Sequence, residues 1–289
     1  MPGRTRPVAL ERARRLEAMR FRGTRGRLIP PHRAMVGLPW TLWRTTTTLG
    51  LALGGLALVG LGLPALGRAW TVMFRAARGA LFPGVPLGDR LVSLPGGIEF
   101  SLPVLAAGTP LPGPTALLVA GAVILLLVLL SFLLPDRWLP LRYFLGVLAL
   151  LQASAILFFA LAPAAFPYHL QDHVFLLMAA GLVVMALVPV LLGFTLHVFD
   201  LALWKKAFLT LALLVHLAVF LPLQGLVHAW LVLQGTALVM PVLFLAFGLL
   251  MDVLIFVAFY GWALSWRGEL ETRQLVPPVH LGGRKGPGR

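Results

Sequence analysis

Residues 115–134 read TALLVAGAVILLLVLLSFLL, a run of 20 residues with no charged side chain. At about 1.5 Å per residue, an α-helix of that length spans about 30 Å, which matches the hydrocarbon thickness of a bilayer. A single segment in lipid satisfies its own backbone hydrogen bonds only as a helix. This run is therefore predicted to be a transmembrane helix.

Five further apolar runs have the same character. Over the whole chain of 289 residues, 59% are hydrophobic and 12% are charged, which is too apolar for an average soluble domain. We therefore predict an all-α, polytopic membrane bundle. Its transmembrane domain covers residues 46–264, with a flanking arm at residues 1–45 and a tail at residues 265–289. The predicted spans are residues 46–66, 115–134, 143–163, 173–199, 207–227 and 235–264.

Basic residues are distributed unevenly among the segments between these spans. Lys and Arg number 11 in the arm, two in each of the second and fourth connections and five in the tail, against four in the other connections. Positively charged segments stay in the cytoplasm, so both ends are predicted to be cytoplasmic and the membrane to be the bacterial plasma (inner) membrane. The basic arm directly precedes a span, and we therefore expect it to bind anionic lipid headgroups and not nucleic acid.

The first outer loop, residues 67–114, carries an amphipathic pattern. At about 100° per residue, Arg68, Arg75 and Arg78 fall on one side of a helix and apolar residues on the other. The pattern predicts an interfacial helix whose arginines contact the membrane surface. Further along, the apolar stretch Ile98–Leu105 is interpreted either as part of a cap over the bundle or as an ordered loop.

Two ionisable residues lie deep within predicted spans. Asp252 is 12 residues from the inner end of the sixth span and His216 is 10 residues from Lys206 at the inner end of the fifth, so both are about 15–18 Å deep. We predict that they form a buried pair. The pair would either handle protons in a transporter or channel, or serve only as a polar contact between helices.

Histidines also cluster near the predicted outer surface. His169, Asp172 and His173 are spaced by three and four residues, and His228 follows the fifth span. This spacing places the first three on one helical face, where they could bind a divalent metal or the edge of a haem. The alternative is an ordinary helix start in which Asp172 favours the N-terminal dipole. No cofactor is predicted on this pattern alone.

The functional hypotheses start from the absence of recognisable catalytic motifs in the sequence. The chain has no Cys, and we find no nucleophile elbow, zinc-protease motif, phosphate-binding loop or dinucleotide fingerprint. An enzyme is therefore not favoured. The leading hypothesis is a non-enzymatic accessory or assembly subunit that binds other membrane proteins. The alternatives are a transporter or channel that uses His216 and Asp252, and a membrane metalloprotein or cytochrome that uses the outer histidines.

Overall fold

The computed structural model of the chain describes residues 42–94, 97–197 and 201–266. Most of the arm and of the tail therefore lie outside the described residues, as do the contacts expected of them. The described helices and strands are α1 (Leu42–Leu81), β1 (Leu87–Leu94), β2 (Ile98–Leu105), α2 (Pro114–Leu133), α3 (Leu139–Leu161), α4 (Leu170–His197), α5 (Leu203–Gln234) and α6 (Leu250–Ser265).

Six helical segments are long and apolar enough to cross a membrane, so the prediction of a six-helix integral membrane protein is confirmed. Their order along the chain matches the six apolar runs, and their ends differ from the predicted ones by up to 15 residues. The six segments are Leu42–Leu81, Pro114–Leu133, Asp136–Leu161, Leu170–Leu196, Leu203–Gln234 and Ala237–Ser265.

The largest difference in length is in α1, which runs for 40 residues without a break. At 1.5 Å per residue it is about 60 Å long, twice the hydrocarbon thickness. The amphipathic segment is helical as predicted, but it continues the first span and does not form a separate interfacial helix. Trp70 and Phe74 explain the continuation, because both are fully buried and hold this half of α1 against the bundle. The Trp70 indole also donates a 2.7 Å hydrogen bond to the carbonyl of Ala218 in α5.

The loop after α1 folds into a β-hairpin, which we had not predicted. Strands β1 and β2 pair antiparallel, from Leu87 opposite Leu105 to Leu94 opposite Ile98. One face of β2 is buried against α1 and α4. The approach to α1 is close at Gly67, where an added Cβ would lie 2.5 Å from the carbonyl oxygen of Ser101. We call the end of the bundle that carries this hairpin the hairpin end.

Helices α4 and α5 form the centre of the bundle. Each contacts the other and α1, and their facing side chains are fully buried, as Leu177 and Leu192 in α4 and Leu213 and Leu217 in α5 show. Helices α2 and α3 pack mainly against each other, and α3 also contacts the beginning of the sixth span. The core therefore lies along α1, α4 and α5, with the α2–α3 pair at its side.

The sixth span is irregular in its first half. It begins with a 3₁₀ turn at Ala237–Val239 and one α-helical turn at Met240–Val242, and it continues as a π-helix at Leu243–Leu249 before α6. We call Leu243–Leu249 the π segment. Such wide turns are rare in proteins and are found frequently at functional sites.

Candidate functional site

Four buried polar side chains surround the π segment. Their exposed fractions range from 1% to 6%, and they are His173 in α4, Gln224 and His228 in α5, and Asp252 in α6. Buried hydroxyl groups elsewhere bond locally; those of Ser131 and Thr210, for example, donate to carbonyls of their own helices. We call the four residues the polar cluster.

The polar cluster extends from the hairpin end to the middle of the bundle. His173 lies in the first turn of α4, and in α5 His228 and Gln224 lie six and ten residues before the end, at about 9 and 15 Å of helix length. Asp252 is 15 residues from the start of the sixth span and 13 from its end. The carboxyl is therefore the deepest of the four groups.

The side chains of the polar cluster contact one another and the π segment. The imidazole rings of His173 and His228 stack, with centroids 5.6 Å apart and planes 26° from parallel. The amide nitrogen of Gln224 donates to the carbonyls of Phe247 at 2.7 Å and Gly248 at 3.3 Å. The same amide lies beside the carboxyl of Asp252. The π segment thus contributes backbone acceptors that orient Gln224 between the histidines and the carboxyl.

Gly248 allows close packing between the π segment and the side chains of α4 and α5. A Cβ added there would lie 2.6 Å from Cδ1 of Leu177 and 3.8 Å from Cε1 of His228. A larger residue would force the Leu177 side chain to move. The absence of a side chain at position 248 therefore allows Leu177 and His228 to pack directly against the backbone of the π segment.

Five buried atoms of the polar cluster have no hydrogen-bond partner in the described structure. They are Nε2 of His173, Nδ1 of His228, Oε1 of Gln224 and both carboxyl oxygens of Asp252. Each unsatisfied buried polar group costs about 1–3 kcal/mol. Native proteins contain few such groups, and several in one place indicate a site that exchanges protons, water or a ligand.

Two cavities flank the π segment. The first, of about 340 Å³, opens near the hairpin end and has an aromatic wall that includes His173; we call it the aromatic cavity. The second, of about 320 Å³, lies on the α5 side and includes Gln224 and His228. The lining of the aromatic cavity is Phe166, Tyr168, His173, Leu176, Met240, Pro241, Phe244 and Leu245.

The predicted pair of His216 and Asp252 stays a prediction, and no hydrogen bond joins the two side chains, because both carboxyl oxygens of Asp252 lack a partner in the described structure. Asp252 is buried, but His216 is on the exposed side of α5, where its ring packs against Phe220 and Phe259 at 5.8 and 5.4 Å. Matched depth fixes the position along a helix axis and not the rotation around it. His216 and Gln224 are eight residues apart, which turns them about 80° from each other.

The predicted histidine cluster is divided by the structure. His173 and His228 come together, whereas the Asp172 carboxylate accepts a 3.0 Å ion-pair hydrogen bond from Arg90 of β1. The other Asp172 oxygen accepts from the backbone N–H of His169, whose side chain is exposed. In the described part of the chain, no three His, Asp or Glu side chains are placed to hold a metal ion. A haem or divalent metal here stays an open alternative.

The three arginines of α1 that were predicted to contact the membrane surface are exposed. Arg75 and Arg78 line an open cavity of about 380 Å³ together with Thr71 of α1 and Asp89 of β1. Arg68 is also exposed. The contact of these arginines with the membrane surface stays a prediction. Arg75 and Arg78 also lie near the hairpin, because Asp89 of β1 lines the same cavity.

Gln224 is the member of the polar cluster that sequence reasoning missed. The signal was present, because Gln224 and His228 are four residues apart and such residues share a helical face. An amide within an apolar run carries no charge, and a search for ionisable residues overlooks it. The π segment has no comparable signal in its sequence, LFLAFGL.

The chain was compared with protein-family models, with curated proteins and with solved structures, and nothing matched it.

Proposed function

We propose that the protein is a proton transporter or proton channel of the bacterial plasma membrane, in which Asp252 takes up and releases the proton. The observation that carries the proposal is the Asp252 carboxyl, which is buried near the middle of the sixth span and has no hydrogen bond to either oxygen. Ionisable residues within spans are costly and usually mark pathways for ions or protons.

The physical argument concerns the charge of the carboxyl. An isolated carboxylate in a medium of low dielectric constant is very unfavourable, and a bound proton or a bound cation removes this penalty. The imidazoles of the polar cluster, those of His173 and His228, have ring nitrogens that can accept or donate a proton along a hydrogen-bonded path. Hard metal cations prefer about six or more oxygen ligands, and the polar cluster supplies few oxygens.

Proton flux measured in liposomes tests the proposal. The full-length protein is reconstituted with a pH-sensitive dye inside the vesicles, and a potassium diffusion potential drives protons inward. The wild-type protein should acidify the interior. Asp252→Asn preserves the size of the side chain but cannot carry the proton, so its flux should fall to that of protein-free liposomes. The matched control is Asp136→Asn, because Asp136 is exposed in a short 3₁₀ helix outside the cluster.

A second pair of variants tests the histidines on a single helix. His228→Leu removes a buried imidazole of the polar cluster, and we expect the flux to fall. His216→Leu removes an exposed imidazole from the same helix, and the flux should be unchanged. A wild-type flux no greater than that of empty liposomes, or a fully active Asp252→Asn protein, would refute the proposal.

An accessory or assembly role is the second candidate, and a specific cleft favours it. Between the α2–α3 pair and the start of the sixth span is a cavity of about 550 Å³, lined mostly by small and branched apolar side chains such as Ala116, Ala120 and Val123. A transmembrane helix of another membrane protein would fit against such a surface. Ala120→Trp should then release a subunit that co-purifies with the wild-type protein, and retention of that subunit would argue against this role.

A further inference from the structure

The aromatic cavity has a composition that selects for a particular kind of molecule. Three aromatic rings besides His173 line it: Phe166 and Tyr168 lie in the linker between α3 and α4, and Phe244 lies in the π segment. The ring centroids of Phe166 and Tyr168 are 5.9 Å apart, and those of His173 and Phe244 are 6.1 Å apart, both in edge-to-face orientation. Aromatic groups prefer such edge-to-face and offset contacts, so another planar ring can extend this wall.

The charge and polarity of the cavity lining restrict the kind of ligand further. In the described part of the chain, no Lys, Arg, Asp or Glu lines the aromatic cavity. His173 is the buried polar residue of the wall, and its Nε2 atom has no hydrogen-bond partner. The two orientations of an imidazole that differ by a half turn exchange nitrogen and carbon positions, so either edge of the ring can present a nitrogen. Nε2 is enclosed in the described structure, so a ligand with one hydrogen-bonding group would pair with it once the ring is turned toward the cavity.

We propose that the aromatic cavity binds a small, uncharged aromatic compound with one hydrogen-bonding group, which contacts His173. Its volume of about 340 Å³ is at the lower end for small-molecule sites, which fits one or two fused rings. Leu176 and Leu245, which also line it, are partly exposed on the outer surface of the helices, so the compound can enter from the surrounding lipid. The binding of this compound does not depend on the proposed function. Only the further step, that the compound is a solute moved together with the proton, rests on that function.

Photolabelling with an azidoindole tests the binding. Indole is planar and uncharged and carries one N–H donor, and the azide forms a covalent bond to neighbouring residues on illumination. The full-length protein in lipid nanodiscs is labelled with and without excess indole, and the labelled peptides are identified by mass spectrometry. The label should be found within residues 166–176 and 240–245, and indole should compete it away. A label spread evenly over the lipid-facing helices and unaffected by indole would overturn the proposal.

Two leucines of α4 supply a matched pair of variants. Leu176 lines the aromatic cavity and is 42% exposed, whereas Leu187 is 47% exposed and does not line it. Leu176→Trp should fill the cavity and abolish the competed labelling. Leu187→Trp should leave the labelling as in the wild type. If Leu176→Trp is labelled as strongly as Leu187→Trp, the label is elsewhere and the proposal fails.

A separate variant tests whether His173 forms a hydrogen bond to the bound compound. His173→Phe preserves an aromatic ring and removes the hydrogen-bonding nitrogens. Competition by indole should become weaker in this variant, while competition by naphthalene, which has no polar group, should be unchanged. Equal competition by indole in both proteins would refute the polar contact. Labelling without proton flux would overturn only the proposed function, and flux without competed labelling would overturn only this inference.

Discussion

Replacing Asp252 by leucine should make the protein more stable. Neither carboxyl oxygen has a well-formed hydrogen bond in the described structure, and the polar contact that leucine would lose is the loose one to the amide of Gln224. Removing an unsatisfied buried polar group should recover about 1–3 kcal/mol, and some of that gain is offset because leucine is larger than aspartate. For a protein of this size, a gain of that order raises the melting temperature by roughly 2–6 °C.

Thermal unfolding of the purified protein in a mild detergent tests this prediction. The quantity measured is the fraction of the protein that is still monodisperse after heating. Asp172→Leu serves as the control, because it removes a carboxylate that does have a partner, Arg90. That variant should lose stability, by about 0.2–1 kcal/mol for a partly exposed ion pair. If Asp252→Leu were less stable than the wild type, the carboxyl would be a structural group and the reasoning behind the proposed function would fail.

Three further substitutions test the contacts that hold the hairpin end together, each measured by the same unfolding assay. Trp70→Phe leaves the carbonyl of Ala218 without its donor and should cost about 1 kcal/mol, and an unchanged melting temperature would contradict this. Gly67→Val brings a side chain onto the carbonyl of Ser101 and should cost about 1–3 kcal/mol by overpacking; a neutral effect would mean that the two backbones can separate easily. Arg90→Met should cost about 0.2–1 kcal/mol, and the difference from the wild type should shrink at high salt, because its ion pair is partly exposed.

The number and order of the spans were predictable because hydrocarbon thickness and backbone hydrogen bonding set a strict requirement. A run such as residues 115–134 has one stable form in lipid, and α2 follows it within two residues at each end. The end of α1 was not predictable in this way. Beyond Arg68 the amphipathic pattern predicts a helix, but the continuation of the first span into that helix depends on the burial of Trp70 and Phe74, which is tertiary packing.

The hairpin could have been predicted from the sequence and was not. Apolar and polar residues alternate from Ile98 through Glu99, Phe100 and Ser101 to Leu102, the period of a half-buried strand. In an all-α interpretation this alternation is easily read as a mixed loop. The structure buries Phe100 and Leu102 and leaves Glu99 exposed, as the period requires.

The polar cluster was only partly predictable for a geometric reason. Depth in a membrane follows from counting residues, and it placed Asp252 correctly near the middle of its span. The direction of a side chain around the helix axis depends on which neighbours the helix packs against. His216 and His228 lie on the same helix, and only the packing of α5 distinguishes the exposed one from the buried one.

The π segment links the orientation of Gln224 to the length of the chain. A wide turn accommodates one more residue than an α-helical turn, so deletion of a single residue between Leu243 and Leu249 would allow an uninterrupted α-helix. Both kinds of turn complete one full rotation, so Asp252 and the rest of α6 would keep their direction. The carbonyls of Phe247 and Gly248 would return to regular helical hydrogen bonds, and the amide of Gln224 would lose its acceptors.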